Sequence, residues 1–270
     1  MSVHNEIKKK TAVTIRAMKG LEKISMLTAY DFTMASIMDA AGIDVLLVGD
    51  SAANVVAGYA STLPITVEHL IYHGQSVMRS VKQALVVIDL PFGSYQASSD
   101  TAVDNAVKML KAEAGEAVKL EGGEHIAETI RRIVDAGIPV MGHLGLTPQS
   151  VNNFGGYKIQ AKSENDAKKL ISDAKILEQA GCFSVVLEKV PADVAKVVTE
   201  SISIPTIGIG AGVHNDGQVL VSYDMIGLTQ GFNPKFLRRF ANVGEQIANA
   251  TQEYIKAVKT GDFPNSSESY

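Results

Sequence analysis

Val45-Leu-Leu-Val-Gly-Asp50 and Leu85-Val-Val-Ile-Asp89 follow one pattern: a short, unbroken apolar run, rich in β-branched residues, that stops at an aspartate. Runs without polar alternation suit strands buried on both faces, as parallel strands between helices are. With residues 45–48 and 85–88, the same kind of run recurs at 24–28, 118–120, 139–141, 184–187, 206–209 and 219–221. Helical periodicity fills most of the intervals, so strand and helix alternate and the sheet is parallel. Eight such runs favour a closed (β/α)₈ TIM barrel over an open sheet.

Ser163-Glu-Asn-Asp166 opens a helix like a capping box with Asp in place of Glu, and Ala167, Leu170, Ile171, Ala174 and Leu177 follow at helical spacing before Gly181 stops it. A second helix is expected over 100–113, and a long one over 234–260 with Pro near its start and Gly261 just past its end. No low-complexity linker or charge block divides the chain, so residues 1–270 read as a single domain. It carries a polar N-terminal extension over about 1–20 and a loosely held polar tail over about 261–270.

Composition narrows the function. The chain has 25 basic and 29 acidic side chains, a formal net charge of -4, and no Lys/Arg cluster, which argues against a nucleic-acid surface. Its one cysteine, Cys182, excludes an intramolecular disulfide and a Cys-based zinc site, and reads as a buried structural thiol in a reducing compartment. No apolar run reaches the roughly 18 residues that span a bilayer, and no hydrophobic stretch follows the N-terminal charges. The expectation is a cytoplasmic protein that binds neither membrane nor nucleic acid.

In a parallel barrel every strand's C-terminal end lies on one face, where the βα loops build the active site. Those ends here carry Thr28 with Asp31, Asp50-Ser51, Asp89, Lys119 with Glu121, His143, Glu188, and Gly208-Ile-Gly-Ala-Gly212. Asp50, Asp89 and Glu121 brought together would repel unless a cation sat among them, and oxygen-only ligands favour a hard ion such as Mg²⁺. Each aspartate alone could instead cap a helix or turn a loop; three carboxylates at neighbouring strand ends favour the metal. Lys119, inside an apolar strand, needs an anionic partner: Glu121, a nearby aspartate or a substrate carboxylate. Glu188, partly desolvated in a barrel mouth, suits a general base, or else pairs with Lys189 or another lysine. The glycine-rich loop could cradle a phosphate or admit a flat ligand, but it lacks dinucleotide or P-loop spacing.

Two patterns read as decoys. His69 and His73, with Glu68, have zinc-like i, i+4 spacing without a His-Glu-x-x-His arrangement, so a polar helix face is the better reading. Gly49-Asp-Ser51 with His143 suggests a serine esterase, but Ala52-Ala53 stands where a nucleophile elbow wants x-Gly.

Taken together, many stretches resemble the ketopantoate hydroxymethyltransferases. They are Leu27-Thr-Ala-Tyr-Asp31, Val48-Gly-Asp-Ser51, Ser61-Thr-Leu-Pro-Ile-Thr66, Ile71-Tyr-His73, Asp89-Leu-Pro-Phe92 and Val118-Lys-Leu-Glu-Gly-Gly123. Gly142-His-Leu-Gly-Leu-Thr-Pro-Gln149, Gly155-Gly-Tyr157, Ile207-Gly-Ile-Gly-Ala-Gly212, Asp216-Gly-Gln-Val-Leu-Val221 and Asp224-Met-Ile-Gly227 continue the match in order to residue 227. The resemblance implies a (β/α)₈ barrel that assembles as a homodecamer. It also implies use of Mg²⁺ and the co-substrate 5,10-methylenetetrahydrofolate to add a hydroxymethyl group to 3-methyl-2-oxobutanoate in pantothenate biosynthesis. Carried over by position, Asp50 and Asp89 correspond to direct metal ligands and Glu121 lies near the ion. Asp50, Ser51, Asp89, Lys119 and His143 surround the keto acid, and Glu188 is the base. Ala52-Ala53-Asn54 and Gly58-Tyr-Ala60 depart from the family's usual Leu-Gly and Gly-Tyr-Asp, leaving the ligands intact but altering the loop that covers them.

The implied chemistry is deprotonation of the Mg²⁺-chelated keto acid at C3 to an enolate, which attacks the folate's one-carbon unit. Another Mg²⁺-dependent barrel acting on pyruvate-like acids, such as a carbon–carbon lyase, would share these parts and is separated by folate dependence. A non-catalytic keto-acid sensor would lack C3 exchange.

Overall fold

The structure is a computed structural model that describes residues 8–270. Its strands close into a parallel barrel in sequence order: β1 (Ile24–Thr28), β2 (Val45–Val48), β3 (Leu85–Asp89), β4 (Ala117–Glu121), β5 (Val140–Gly145), β6 (Ser184–Glu188), β7 (Thr206–Ile209) and β8 (Gly217–Leu220), which returns to pair with β1. The (β/α)₈ reading therefore holds. Before and between the strands run α1 (Ala12–Ala17), α2 (Phe32–Ala40), α3 (Ala52–Val55), α4 (Val67–Met78), α5 (Ser99–Lys111), α6 (Ala127–Asp135), α7 (Val151–Phe154), α8 (Glu164–Gln179) and α9 (Ala192–Ser201). No described helix is long and apolar enough to cross a membrane.

Side-chain alternation explains how the barrel presents its chemistry. Residues two apart on a strand share a face. Leu85 and Val87 of β3, Ala117 of β4, Met141 of β5 and Val186 of β6 all belong to the cluster that fills the barrel. Asp89, Lys119, His143 and Glu188 each follow one of them by two residues, and Glu121 follows Lys119 by two, so these polar groups stand on the same inward face above the apolar layers. Four strands, β3 to β6, run past the end of the apolar run, because the polar residue at that end keeps its place in the backbone ladder.

Part of the expected N-terminal extension is structural. Thr11 caps α1, and Ile15 is fully buried among the strand residues Ile24, Met26, Val45 and Leu85. Lys10 pairs with Asp44, and Lys19 Nζ reaches Asp216 Oδ2 at 2.8 Å, tying α1's flanks to the strands. The rest of the extension, residues 1–7, lies outside the described residues.

Residues 221–270 make a second compact unit containing α10 (Ser222–Met225) and α11 (Val243–Thr260). The helix expected from residue 234 starts at Val243. Ahead of it the backbone N–H groups of Phe240 and Val243 donate to Met225 O at 2.8 Å and Ile226 O at 2.9 Å, so this segment is committed to contacts outside the helical pattern. Gly261 ends α11 in the left-handed conformation (φ +74°), as its position after the periodic run predicts.

Candidate active site at the barrel mouth

Strand register places the site's charged groups side by side. Asp89 on β3 is the direct ladder partner of Lys119 on β4, and Glu121 on β4 is the partner of His143 on β5. Lys119 Nζ lies 2.9 Å from Asp89 Oδ1, which supplies the anionic partner that its burial demands. His143 Nδ1 is 3.3 Å from Glu121 Oε1, and its Nε2 is 3.3 Å from Glu188 Oε2. Lys119 Nζ also stands 3.3 Å from His143 Nδ1, so that nitrogen either donates to Glu121 when protonated or accepts from Lys119 when not. Glu188 thus faces His143, while Lys189 Nζ donates to Tyr157 O at 3.0 Å.

Asp50 joins this group from the end of β2. Its backbone N–H donates to Asp89 Oδ2 at 2.9 Å, which brings the two aspartates together. Gly49 leaves room for the Ser51 hydroxyl, because a Cβ there would stand 2.8 Å from Ser51 Oγ. Ser51 Oγ is 2.8 Å from the Tyr30 hydroxyl.

The electrostatics reflect this packing. Burial, then the charges of Asp89 and Glu121, hold the Asp50 carboxyl well above the usual carboxylate range. Burial also raises Asp89, against the opposing charge and hydrogen bond of Lys119. For Glu121 burial acts upward, but the hydrogen bond and charge of His143, with Lys119 and the Gln149 amide, hold it below the usual range. Burial would lower Lys119, and the surrounding carboxylates push it up instead. Burial and Lys119 pull His143 down, and its hydrogen bonds to Glu121 and Glu188 outweigh them, pushing it up to about 9.

Among the described residues no three His, Cys, Asp or Glu side chains form a metal cage by themselves. Glu121 is already engaged, by His143 and by the Gln149 backbone N–H, which donates to Glu121 Oε2 at 2.9 Å. Asp89 is engaged as well, by Lys119 and the Asp50 N–H, but it stands beside Asp50, and these two are the carboxylates that together could hold an ion. They are two buried, oxygen-only, mutually repelling donors, so the donor set fits a hard divalent cation, which needs only one or two carboxylates when substrate oxygens and water complete its shell.

Three contributing residues carry no role that the sequence alone reveals. Gln149 lies in a 3₁₀ turn, Pro148–Ser150, just after β5, and is buried against Asp50. Tyr95, in the loop after β3, donates its hydroxyl to Glu121 O or Gln149 Oε1. Tyr30 bonds Ser51. All three sit in loops, where no hydrophobic period marks which polar residue turns inward; the one usable signal is proximity to a strand end.

The decoys resolve as packing. His69 Nδ1 accepts from the Thr66 backbone N–H in a capping box, and His73 Nδ1 is 2.7 Å from Tyr30 O, so the two imidazoles serve different partners. Ser51 Oγ is hydrogen-bonded to Tyr30 while the two nitrogens of His143 face Glu121 and Glu188, which is not the serine–histidine pairing of an esterase. After β7, Gly212 is closely packed, since a Cβ there would stand 2.4 Å from that of Ala192. Cys182 is buried, and burial pushes its thiol up to about 12.

Comparison with known proteins identifies the family. The family described as ketopantoate hydroxymethyltransferase matches residues 9–266. The chain is 59% identical over 249 residues to the 3-methyl-2-oxobutanoate hydroxymethyltransferase of Parabacteroides distasonis, covering 92% of this chain and 91% of that protein. It is 55% identical over 267 residues to the protein of that name from Cytophaga hutchinsonii, covering 98% of each. Among solved structures, the fold is similar to 2,3-dimethylmalate lyase, a PEP mutase/isocitrate lyase superfamily member (TM-score 0.60, 14% identity, covering 97% of this chain and 93% of that one). It is also similar to a phosphonopyruvate hydrolase complexed with oxalate and Mg²⁺ (TM-score 0.61, 11% identity, covering 96% of this chain and 93% of that one). At those identities the likeness concerns the barrel alone. A match across nearly the whole length, at more than half identity to named relatives, makes this chain a member of the ketopantoate hydroxymethyltransferase family.

Proposed function

We propose that this protein transfers a hydroxymethyl group from 5,10-methylenetetrahydrofolate to 3-methyl-2-oxobutanoate, giving, with water, 2-dehydropantoate (ketopantoate) and tetrahydrofolate in pantothenate biosynthesis. The observation that carries the reading is the placement of a carboxylate, Glu188, against His143 in a charged array with Glu121, Lys119, Asp89 and Asp50 at one barrel mouth.

Asp50 and Asp89 would hold Mg²⁺, with Glu121 near it. When bound, the ion supplies Lewis acidity toward the two oxygens of a 2-oxo acid and so acidifies C3. Glu188 accepts the C3 proton as the C–H electron pair moves into the enolate. His143, between Glu188 and Glu121, holds Glu188 in place with its Nε2 3.3 Å from Glu188 Oε2. Lys119 sets a fixed positive charge beside the substrate's carboxylate and enolate oxygens. Ser51, anchored by Tyr30, offers its hydroxyl to the keto acid. Water adds to the folate's methylene carbon as its two C–N bonds break in turn, freeing tetrahydrofolate and a one-carbon unit at the formaldehyde level; the enolate carbon bonds to that carbon, and its oxygen takes up the proton that Glu188 removed, which leaves the hydroxymethyl group.

The same reading includes self-assembly, as the decamer that the resemblance implies. It is supported by α11, none of whose residues is buried, and on which Ile247, Tyr254 and Val258 form one exposed apolar stripe.

The Glu188→Gln substitution tests the base. It keeps the size and hydrogen-bonding reach of the side chain but removes its basicity. Exchange of the C3 proton of 3-methyl-2-oxobutanoate for deuterium should stop while calorimetric binding of the keto acid persists; exchange at the wild-type rate would take Glu188 out of this role.

A further inference from the structure

We propose that Gln149 is a positioning residue for the cation site, holding the Asp50 carboxylate in a fixed orientation without neutralising it. Every hydrogen-bonding group of its buried carboxamide faces a complementary partner. Nε2 donates to Asp50 Oδ2 at 3.0 Å and to Leu90 O at 3.0 Å. Oε1 accepts from Gln96 Nε2 at 3.0 Å and faces the Tyr95 hydroxyl at 2.9 Å. A flipped amide would point its oxygen at a carboxylate and a carbonyl, and its nitrogen at an amide donor, so the surroundings allow one orientation only.

The placement is specific in a second way. Gln149's own backbone N–H donates to Glu121 Oε2 at 2.9 Å, so one residue, carried on the loop after β5, grips acidic side chains from the ends of β2 and β4 together with the backbone just after β3. Its neutrality matters. Asp89 already has the Lys119 ammonium at 2.9 Å. A second ammonium on Asp50 would compete with a bound cation for the same negative charge, whereas an amide N–H orients the oxygen and leaves the charge available. Groups that orient a metal ligand in this way are typically worth about 10–100-fold in metal affinity.

This inference rests on Asp50 being a metal ligand, and the experiment separates the two. Mn²⁺ alone, without keto acid or folate, is titrated into the full-length protein and followed by electron paramagnetic resonance, for the wild type and for Asp50→Asn, Gln149→Met and Gln149→Asn. Met fills the volume without a donor, and Asn keeps the amide but is one methylene too short to reach Asp50. The expected result is loss of the Mn²⁺ site in Asp50→Asn and affinity weakened roughly 10-fold or more in both Gln149 variants, with circular dichroism showing each folded. Should Gln149→Met fail to fold because Leu90 O and its other partners are stranded, Gln149→Asn carries the test. A purely structural role would lower melting temperature and leave Mn²⁺ affinity unchanged, and wild-type affinity in a folded Gln149 variant overturns the proposal. Mn²⁺ binding that survives Asp50→Asn overturns the metal reading itself, and this inference with it.

Discussion

His143 is held between Glu121 and Glu188, and its titration reports whether that arrangement exists in solution. Its value of about 9 lies above the ordinary 6.5, so the two carboxylates stabilise the folded state most when the imidazole is charged. That contribution is complete below the unfolded value near 6.5 and is lost as pH rises through about 9. In metal-free protein the imidazole carbon resonances of His143 should therefore titrate near pH 9, and thermal stability should fall over the same rise in pH; a midpoint at or below 6.5 would contradict the ion-paired geometry. At this scale the acidic site residues were legible because several carboxylates that end buried parallel strands are delivered to the same barrel face. Lys119 was legible by cost, since a buried ammonium requires a partner. Gln149 and Tyr95 were not, because an uncharged polar residue in a loop satisfies many structures equally well.

Among the elements, α4 shows where packing overrides intrinsic propensity. Gly74 lies buried in its interior, where alanine would ordinarily stabilise a helix by up to about 1 kcal/mol. A Cβ at this position, however, would stand 2.1 Å from the Ala114 carbonyl oxygen, a backbone atom that cannot rotate aside. Overpacking of that kind costs about 1–3 kcal/mol or more, so Gly74→Ala should lower the melting temperature; a rise would mean that the α4 contact is looser than this. Local signals predicted elements well where they were self-contained. Ser163 accepts from the Asp166 N–H at 3.2 Å at the start of α8, as its capping pattern requires. They failed at the start of α11, where Pro234 looked like a helix opener but the backbone of Phe240 and Val243 is recruited by Met225 and Ile226, partners that no local window contains.

For the whole molecule, the barrel decides function by bringing together what the chain keeps apart. Residues 89, 119, 121, 143 and 188 meet because parallel strands place every C-terminal end on one face and alternation turns the right residue inward, and Asp50, past the end of β2 and outside that alternation, joins them through its backbone N–H to Asp89. Fold class was readable from the recurrence of buried runs, and the mouth from the polar residues at their C-terminal ends. The floor formed around Ile15 was not, although Ala12, Ile15 and Met18 recur at helical spacing, because α1 is only six residues long and Val13 and Ala17 blur so short a period. The proposed chemistry is enolisation of a keto acid at this mouth and transfer of the carbanion to a folate one-carbon unit. Its most direct test is proton NMR of 3-methyl-2-oxobutanoate in D₂O with the purified protein and Mg²⁺, with and without EDTA, and then with 5,10-methylenetetrahydrofolate added. The predicted result is metal-dependent loss of the C3 proton signal and then folate-dependent appearance of ketopantoate. Folded, metal-loaded protein that gives neither exchange nor product would contradict it.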